Sequence, residues 1–312
     1  MAAEGAFRIR IDKRHSECHF GRMKTVSMLE LRSRGRDVVK RLERGERLAS
    51  TYRGRRVVLT GASSGIGRDL ALLLASWGAH LALTARRLEL LEEVRDEARK
   101  AGAEVLVHAA DVRDRDAMQA MADEVLARWG HVDLVIGNAG VGGLNPATCF
   151  DLELHRSTIE INCLGLAHTL VPYIPSMLAR RSGHLVGVSS LAAFRGRPRA
   201  ASYSSAKAQQ GVFLESLRMD LRPHGIAVSA IHPGFVVTPM TNHTEFRMPF
   251  MVDVRESSLL IAKAIRAKKA RYLYPWQMRW LVRAEGLLPC AVYDWLLPRA
   301  SGMRDDVKPR AL

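Results

Sequence analysis

Two residues of the chain, Tyr203 and Lys207, have types and a spacing that suit proton transfer. In a helix, a separation of four residues puts both side chains on one face, one turn apart. A phenol ordinarily loses its proton near pH 10, and a fixed ammonium nearby favours the phenolate and lowers that pKa. The pair therefore predicts an acid-base group for a carbonyl or an alcohol. Most isolated pairs of this kind are surface residues, so the interpretation depends on the elements around them.

A glycine-rich turn upstream is typical of dinucleotide binding. An apolar run, Arg56–Thr60, predicts a buried strand and the start of ordered structure. Gly61, Gly65 and Gly67 follow it directly and lead into an amphipathic helix over residues 68–77. Glycines let the backbone approach a pyrophosphate, and a helix N-terminus supplies amides and partial positive charge. The spacing Gly-x-x-x-Gly-x-Gly differs from the commoner Gly-x-Gly-x-x-Gly, but its context predicts a cofactor site.

Two arginines favour NADP(H) over NAD(H). A second predicted strand, His80–Thr84, is followed closely by Arg86 and Arg87, and the first acidic residue is Glu89. NAD-specific folds usually place a carboxylate here to accept a hydrogen bond from the ribose 2′-hydroxyl. A 2′-phosphate instead needs a cation, which a guanidinium supplies. The alternative is that both arginines merely cap the following helix.

Strands and helices alternate as far as residue 238, which predicts an α/β fold: a doubly wound (Rossmann) parallel sheet with helices on both faces. Ligands bind such sheets beyond the carboxyl ends of the strands. The predicted fifth strand, Gly183–Val188, delivers Ser189 and Ser190 to that edge.

A long helix is predicted over residues 151–180, with a kink where Pro172 and Pro175 interrupt it. Asn162 lies in its first half among apolar residues. A polar residue in that setting is more often a satisfied core amide than a catalytic group.

With these elements in order, residues 55–270 resemble the short-chain dehydrogenase/reductase family in its common single-domain form. The resemblance implies a catalytic tetrad of Asn162, Ser190, Tyr203 and Lys207, with Ser190 preferred over Ser189. It implies a seven-stranded sheet with its last strand near residues 271–274, and usually a homodimer or homotetramer. It also implies cofactor contacts from Gly61, Ser63, Ser64, Gly65, Ile66, Gly67, Arg86, Arg87, Asp111, Val112, Asn138, Ala139, Gly140, Tyr203, Lys207, Pro233, Gly234, Val236 and Thr238.

The mechanism that the resemblance implies agrees with the residue chemistry. Ser190 positions the substrate carbonyl oxygen, and Tyr203 donates the proton as the nicotinamide transfers a hydride. Lys207 lowers the tyrosine pKa and bonds the nicotinamide ribose, while Asn162 holds a water that links Lys207 to solvent.

The net charge of +15 is concentrated in the two flanks of the chain. Residues 1–56 hold sixteen basic and seven acidic side chains, residues 262–312 hold eleven and four, and the middle is nearly neutral. No nucleic-acid recognition motif accompanies this charge, so we expect no nucleic-acid partner. The predicted organisation is a basic N-terminal extension (1–52), a catalytic domain (53–275) and an aromatic-rich C-terminal extension (276–312). The N-terminal extension is predicted either to be a mobile tail or to lie partly before the true start, for which Met23 and Met28 are the alternatives.

The composition predicts a cytoplasmic protein, with membrane association left open. The start lacks a secretory core, and no apolar run is long enough to span a bilayer. The four cysteines are scattered without metal-ligand spacing, so we expect reduced thiols and no metal site.

The predicted substrate pocket is apolar. The loop 240–254 contains Met240, Phe246, Met248, Phe250 and Met251, which suit an adaptable lid over a hydrophobic ketone or aldehyde. Near the mouth lie Arg195, Arg197 and Arg199, which are expected to be solvated loop charges rather than a site that steers an anion.

The C-terminal extension clusters tryptophan, tyrosine, leucine and arginine. Three interpretations stay open for it: packing or an oligomer contact, peripheral membrane contact, or a flap over the pocket.

These patterns favour an NADP(H)-dependent carbonyl reductase or alcohol dehydrogenase that acts on a hydrophobic ketone, aldehyde or secondary alcohol. One alternative is a reductase of lipid intermediates, such as a 3-keto sphingoid base or a 3-ketoacyl chain, at a membrane surface. Another is a non-catalytic protein that senses NADPH, against which the complete tetrad argues.

Overall fold

The structure is a computed structural model that describes residues 46–241, 248–301 and 310–311. The predictions about the chain before residue 46, including the starts at Met23 and Met28, and about Phe246 lie outside these ranges. Within them, no helix is both long and apolar enough to cross a membrane.

The centre of the fold is a seven-stranded, all-parallel sheet in the order β3-β2-β1-β4-β5-β6-β7. Val57 on β1 pairs with Leu81 on one side and with Leu134 on the other. The predicted doubly wound α/β sheet is confirmed. The strands are β1 (Arg56–Thr60), β2 (His80–Ala85), β3 (Val105–Ala109), β4 (Leu134–Gly137), β5 (Gly183–Val188), β6 (Ile226–Pro233) and β7 (Arg271–Tyr274).

Helices cover both faces of the sheet. Successive strand residues point to opposite faces, so Val58 and Leu59 belong to different hydrophobic clusters, and both are fully buried. The helices are α1 (Gly65–Ser76), α2 (Leu88–Lys100), α3 (Arg115–Trp129), α4 (Leu152–Ile159), α5 (Gly165–Leu170), α6 (Ile174–Arg180), α7 (Ala201–Leu221), α8 (Val254–Arg266), α9 (Trp276–Leu287) and α10 (Cys290–Ser301).

The predicted long helix over residues 151–180 is divided into segments. A π-helical turn, Glu160–Leu164, separates α4 from α5, and a 3₁₀ turn, Val171–Tyr173, separates α5 from α6. The second break contains Pro172, as predicted, because proline removes a backbone donor and clashes with the preceding turn. The π turn carries Asn162 and has no glycine or proline signal in the sequence.

Ordered structure begins before Arg56, where the sequence predicted its start. Residues 46–52 are helical, and Leu48 and Tyr52 are buried in the core. The Tyr52 hydroxyl donates to the Ala262 carbonyl at 2.6 Å, and its ring stacks on Trp77. The domain boundaries at residues 52 and 275 remain predictions.

Candidate active site

A cavity of about 550 Å³ lies beyond the carboxyl ends of the strands. All nineteen residues predicted to contact a cofactor line it, from Gly61 on β1's turn to Thr238 after β6. Ser190 lines it as well, whereas Asn162 lies behind its wall. The strand-end loops thus bring together residues that are up to 177 positions apart in the sequence.

In the glycine turn, neighbouring backbone atoms lie too close to Gly61 and Gly67 for either position to carry a side chain. Gly61 has a φ of 67°, and a Cβ there would lie 2.8 Å from the Ala139 α-carbon. A Cβ on Gly67 would lie 2.1 Å from the Gly61 carbonyl oxygen. Ser64 precedes α1 without a side-chain capping bond, and no acidic residue occupies the first turn. The first amides of α1 therefore keep their donors for a phosphate.

Asn138 ties the glycine turn to β4. Its side-chain amide lies 3.1 Å from the Thr60 carbonyl oxygen and 3.3 Å from that of Gly61, and donates to both. The Thr60 hydroxyl in turn accepts from the Asn138 and Ala139 amides. These bonds fix the conformation of the glycine turn against the end of β4.

Charged groups surround the end of the cavity nearest β2 and β3. Arg86 and Arg87 line it, and Arg87 Nη2 donates to Ser63 Oγ at 3.4 Å. Burial alone would raise the pKa of Asp111, but hydrogen bonds from Arg113 hold that pKa below its usual value. Asp111 is therefore ionised and acts as an acceptor, as an adenine amino group would require.

Tyr203 occupies the first turn of α7 and hydrogen-bonds the Ser190 side chain. Burial raises the pKa of Tyr203, and the bond to Ser190 opposes this shift. The predicted lowering by Lys207 is wrong for this arrangement, in which the ammonium lies 5.7 Å from the tyrosine ring centroid. Desolvation outweighs the Ser190 hydrogen bond and raises the pKa of Tyr203, so the phenol keeps its proton at neutral pH and is suited to donate it.

Lys207 is almost fully buried one turn further along α7. Its ammonium donates to the Val188 carbonyl at 3.2 Å, and burial lowers the pKa of Lys207 to about 8. This is its one hydrogen bond to the residues that the structure describes, so the ammonium has further donors to offer to a ligand.

Asn162 is completely buried, and its amide donates to the carbonyls of Val141 and Thr158, both at 2.9 Å. Its side-chain oxygen is buried without a hydrogen-bond partner among the described residues. The prediction of a satisfied core amide is therefore only half met: the nitrogen is satisfied and the oxygen is not. The oxygen lies 2.8 Å from the position that a Cβ of Gly140 would occupy. The π turn produces this placement, since it rotates Asn162 out of the regular helical register.

The two adjacent serines differ in environment. Ser189 is buried and donates to the Lys207 carbonyl at 2.8 Å, while Ser190 lines the cavity. This difference follows the predicted preference for Ser190. Sequence reasoning missed His232, whose Nδ1 lies 3.1 Å from the Ser190 carbonyl oxygen and whose ring packs on Phe194.

Arg195 and Arg197 connect the loop after β5 to the C-terminal helices. Arg197 forms a two-point ion pair with Glu285 at 2.6 and 3.1 Å. Arg195 donates to the carbonyls of Glu285 and Leu288, and its guanidinium lies 3.7 Å from the Tyr293 ring centroid. The prediction that these two arginines are solvated loop charges is therefore wrong.

The C-terminal helices form one wall of the cavity. Met278, Leu281 and Glu285 of α9 line it together with Leu297 of α10. From the predicted lid, Met240 and Met248 also line the cavity, whereas Phe250 and Met251 are largely exposed. The C-terminal helices and the predicted lid thus contribute mainly methionine and leucine to the cavity lining.

Most of the chain is similar to known proteins. A profile of the short chain dehydrogenase family matches residues 55–247. An uncharacterized oxidoreductase of Myxococcus xanthus is 42% identical over 240 residues, which cover 77% of this chain and 95% of the relative. A further relative, an uncharacterized oxidoreductase of Staphylococcus epidermidis, is 33% identical over 61% of this chain and 81% of its own.

Among solved structures, a short-chain dehydrogenase/reductase of Burkholderia phymatum in complex with NAD aligns with a TM-score of 0.68 and 27% identity. The alignment covers 74% of this chain and 92% of that one. The chain therefore belongs to the short-chain dehydrogenase family. It is an NAD(P)-dependent dehydrogenase or reductase that binds a nicotinamide cofactor and a small-molecule substrate.

Proposed function

We propose that the protein is an NADP(H)-dependent oxidoreductase that interconverts a hydrophobic ketone or aldehyde and the corresponding alcohol. The observation that carries this proposal is one cavity that brings Tyr203, Ser190 and Lys207 together with the glycine turn and an apolar wall. A phenol, a hydroxyl and an ammonium beside a dinucleotide cradle suit carbonyl reduction, in which one oxygen atom must be polarised and then protonated.

Tyr203 is the proton donor in reduction and the acceptor in oxidation. When bound, the nicotinamide supplies or receives the hydride. Ser190 donates a hydrogen bond to the substrate oxygen and fixes it near the Tyr203 hydroxyl, which it already contacts. The raised pKa of Tyr203 keeps the phenol protonated at neutral pH, as a proton donor requires.

Lys207 and Asn162 are the proton supply behind the tyrosine. The Lys207 ammonium has further donors for the nicotinamide ribose. The side-chain oxygen of Asn162, which accepts no hydrogen bond from the described residues, suits a bound water. A buried polar oxygen without a partner is costly, so a water that it holds would be retained. The bound water and Lys207 would then return a proton to Tyr203 after each turnover.

Arg86 and Arg87 give the preference for NADP(H). Both line the cavity beyond β2, and within the described part of the chain neither guanidinium donates to a carboxylate. Two guanidiniums at that position would pair with a 2′-phosphate and gain nothing from a 2′-hydroxyl.

The substrate is proposed to be hydrophobic because methionine and leucine side chains of the C-terminal helices and of the loop after β6 line the same cavity as Tyr203. A lipid intermediate, such as a 3-keto sphingoid base or a 3-ketoacyl chain, is the second candidate, favoured by the exposed aromatic residues of the C-terminal helices. A homodimer or homotetramer is proposed from the family alone.

The test is an NADPH-consumption screen over hydrophobic ketones and aldehydes, run beside NADH. The proposal expects turnover of at least one bulky ketone and a clear preference for NADPH. Tight NADPH binding with no turnover of any carbonyl compound would favour an NADPH sensor and contradict the enzymatic assignment.

A further inference from the structure

We propose that the outward face of α9 docks the protein on the surface of an anionic lipid bilayer. The docking face consists of Trp276, Trp280, Arg283 and Leu287, with Arg279 at its side. These residues follow one another at intervals of four, three and four, so that they form one stripe along the helix.

The structure places this stripe in solvent. Trp276 is 65% exposed, Trp280 57% and Leu287 87%. The opposite stripe, Met278, Val282 and Glu285, packs against the protein. A surface helix normally turns polar residues outwards, and α9 turns two tryptophans and a leucine outwards instead.

The composition of the face matches a membrane interface. Two of the five tryptophans in the chain, Trp276 and Trp280, belong to this face, and both are more than half exposed. The indole ring is amphipathic and concentrates at the level of the lipid headgroups. Leucine and tryptophan side chains would enter the acyl boundary while the polar groups stay at the headgroups.

The charge of the face is complementary to anionic lipid. The guanidiniums of Arg279 and Arg283 lie 5.5 and 5.3 Å from the Trp280 ring centroid, so cations flank the apolar residue. Glu285 is the one acidic residue of α9, and it is turned inwards to pair with Arg197. The outward stripe therefore carries positive charge only, as attraction to an anionic surface requires.

The stripe is too narrow for a stable contact with a second copy of this chain. A specific protein interface buries about 800 Å² per partner and involves roughly twenty residues on each side. Five side chains on a twelve-residue helix supply much less, whereas shallow insertion of a few apolar side chains is sufficient for reversible membrane binding.

The docking face also lies on the same helix as the cavity wall. Met278 and Leu281 line the cavity, and Leu281 is at the same time 42% exposed. A bilayer under α9 would thus lie next to the apolar wall. Delivery of a membrane-dissolved substrate by this route rests on the proposed function, but docking itself does not.

The test compares vesicle binding of the full-length protein with that of the double variant Trp280→Glu/Leu287→Glu. Vesicles of phosphatidylcholine alone and with one third phosphatidylglycerol are used in flotation at low and at physiological salt. Leu152→Glu is the matched control, because Leu152 is 74% exposed on another helix. We expect wild type and control to float with the anionic vesicles, and the double variant to lose about tenfold or more in partitioning.

Arg279→Gln/Arg283→Gln should weaken anionic binding by about fivefold for each charge removed, in line with about 1 kcal/mol per basic residue. Equal flotation of wild type and both double variants would overturn the proposal. A second outcome would also overturn it: the wild type does not bind vesicles, and Trp280→Glu/Leu287→Glu converts a dimer into a monomer. In that case a second copy of the chain would cover the face. NADPH turnover of a water-soluble ketone, measured on the same samples, tests the proposed function independently of docking.

Discussion

The side-chain oxygen of Asn162 and the ammonium of Lys207 converge on the position that a Cβ of Gly140 would occupy. A Cβ built on Gly140 would lie 2.8 Å from Asn162 Oδ1 and 3.2 Å from Lys207 Nζ. The absence of a side chain at this position therefore leaves space in which both groups reach the same point. That space suits the water of the proposed proton supply.

Gly140→Ala should disturb this arrangement without disrupting the fold. The new methyl group would displace the Lys207 ammonium or the Asn162 amide, and displacements of this size cost about a hundredfold in catalysis. We expect kcat to fall by about ten- to a hundredfold while NADPH still binds, measured by steady-state kinetics and cofactor fluorescence. Gly286→Ala is the control, because nothing lies within 4 Å of its Cβ position. Wild-type kinetics for Gly140→Ala would contradict the proposed role of the space.

The pH dependence of reduction should report Lys207. Its pKa is lowered to about 8, so the ammonium is charged below that pH and loses its proton above it. The raised pKa of Tyr203 keeps the phenol protonated across this range. For reduction, kcat/KM should therefore fall as the pH rises through about 8. A profile that stays flat to pH 10 would contradict this account, and Lys207→Arg should remove the descending limb because a guanidinium stays charged.

Arg86→Ala/Arg87→Ala should reduce the discrimination between the two cofactors. Charge-assisted hydrogen bonds to a phosphate contribute about 1.5–3 kcal/mol, so the KM for NADPH should rise by about tenfold or more. The KM for NADH should stay nearly constant, since a 2′-hydroxyl gains little from the guanidiniums. Arg115→Ala, outside the cavity lining, is the control. Equal losses with both cofactors would show that the arginines cap α2 instead.

Glu285→Gln should loosen the cavity wall. Glu285 and Arg197 are both largely buried, and the loss of a charged hydrogen-bond partner costs about 1.5–3 kcal/mol of stability. We expect lower thermal stability and a higher KM for a bulky ketone, with kcat nearly unchanged. Glu153→Gln breaks the exposed pair with Arg156 and should change neither quantity much. Unchanged stability and KM for Glu285→Gln would show that the pair is not part of the wall's support.

The sheet and the residues that line the cavity could be predicted because both depend on local sequence signals. Buried strands have short apolar runs. The glycine turn and the Tyr203–Lys207 spacing can each be recognised from a stretch of a few residues. The direction of the Tyr203 pKa could not be predicted, because it depends on how much water the fold removes from the phenol.

The Arg197–Glu285 pair was missed for a different reason. The two residues are 88 positions apart, and no periodicity links a loop arginine to a helix glutamate across that distance. The π turn at Asn162 was missed because local propensity did not distinguish it from a regular helix, although its geometry decides where the amide points.

The assignment of Tyr203 as the acid in carbonyl reduction is best tested with the variant Tyr203→Phe. NADPH consumption is measured with a hydrophobic ketone, and NADPH affinity is measured in the absence of substrate. Turnover should fall by about a hundred- to ten-thousandfold while the affinity for NADPH stays unchanged. Turnover near the wild-type rate would contradict the assignment of Tyr203 and the mechanism built on it.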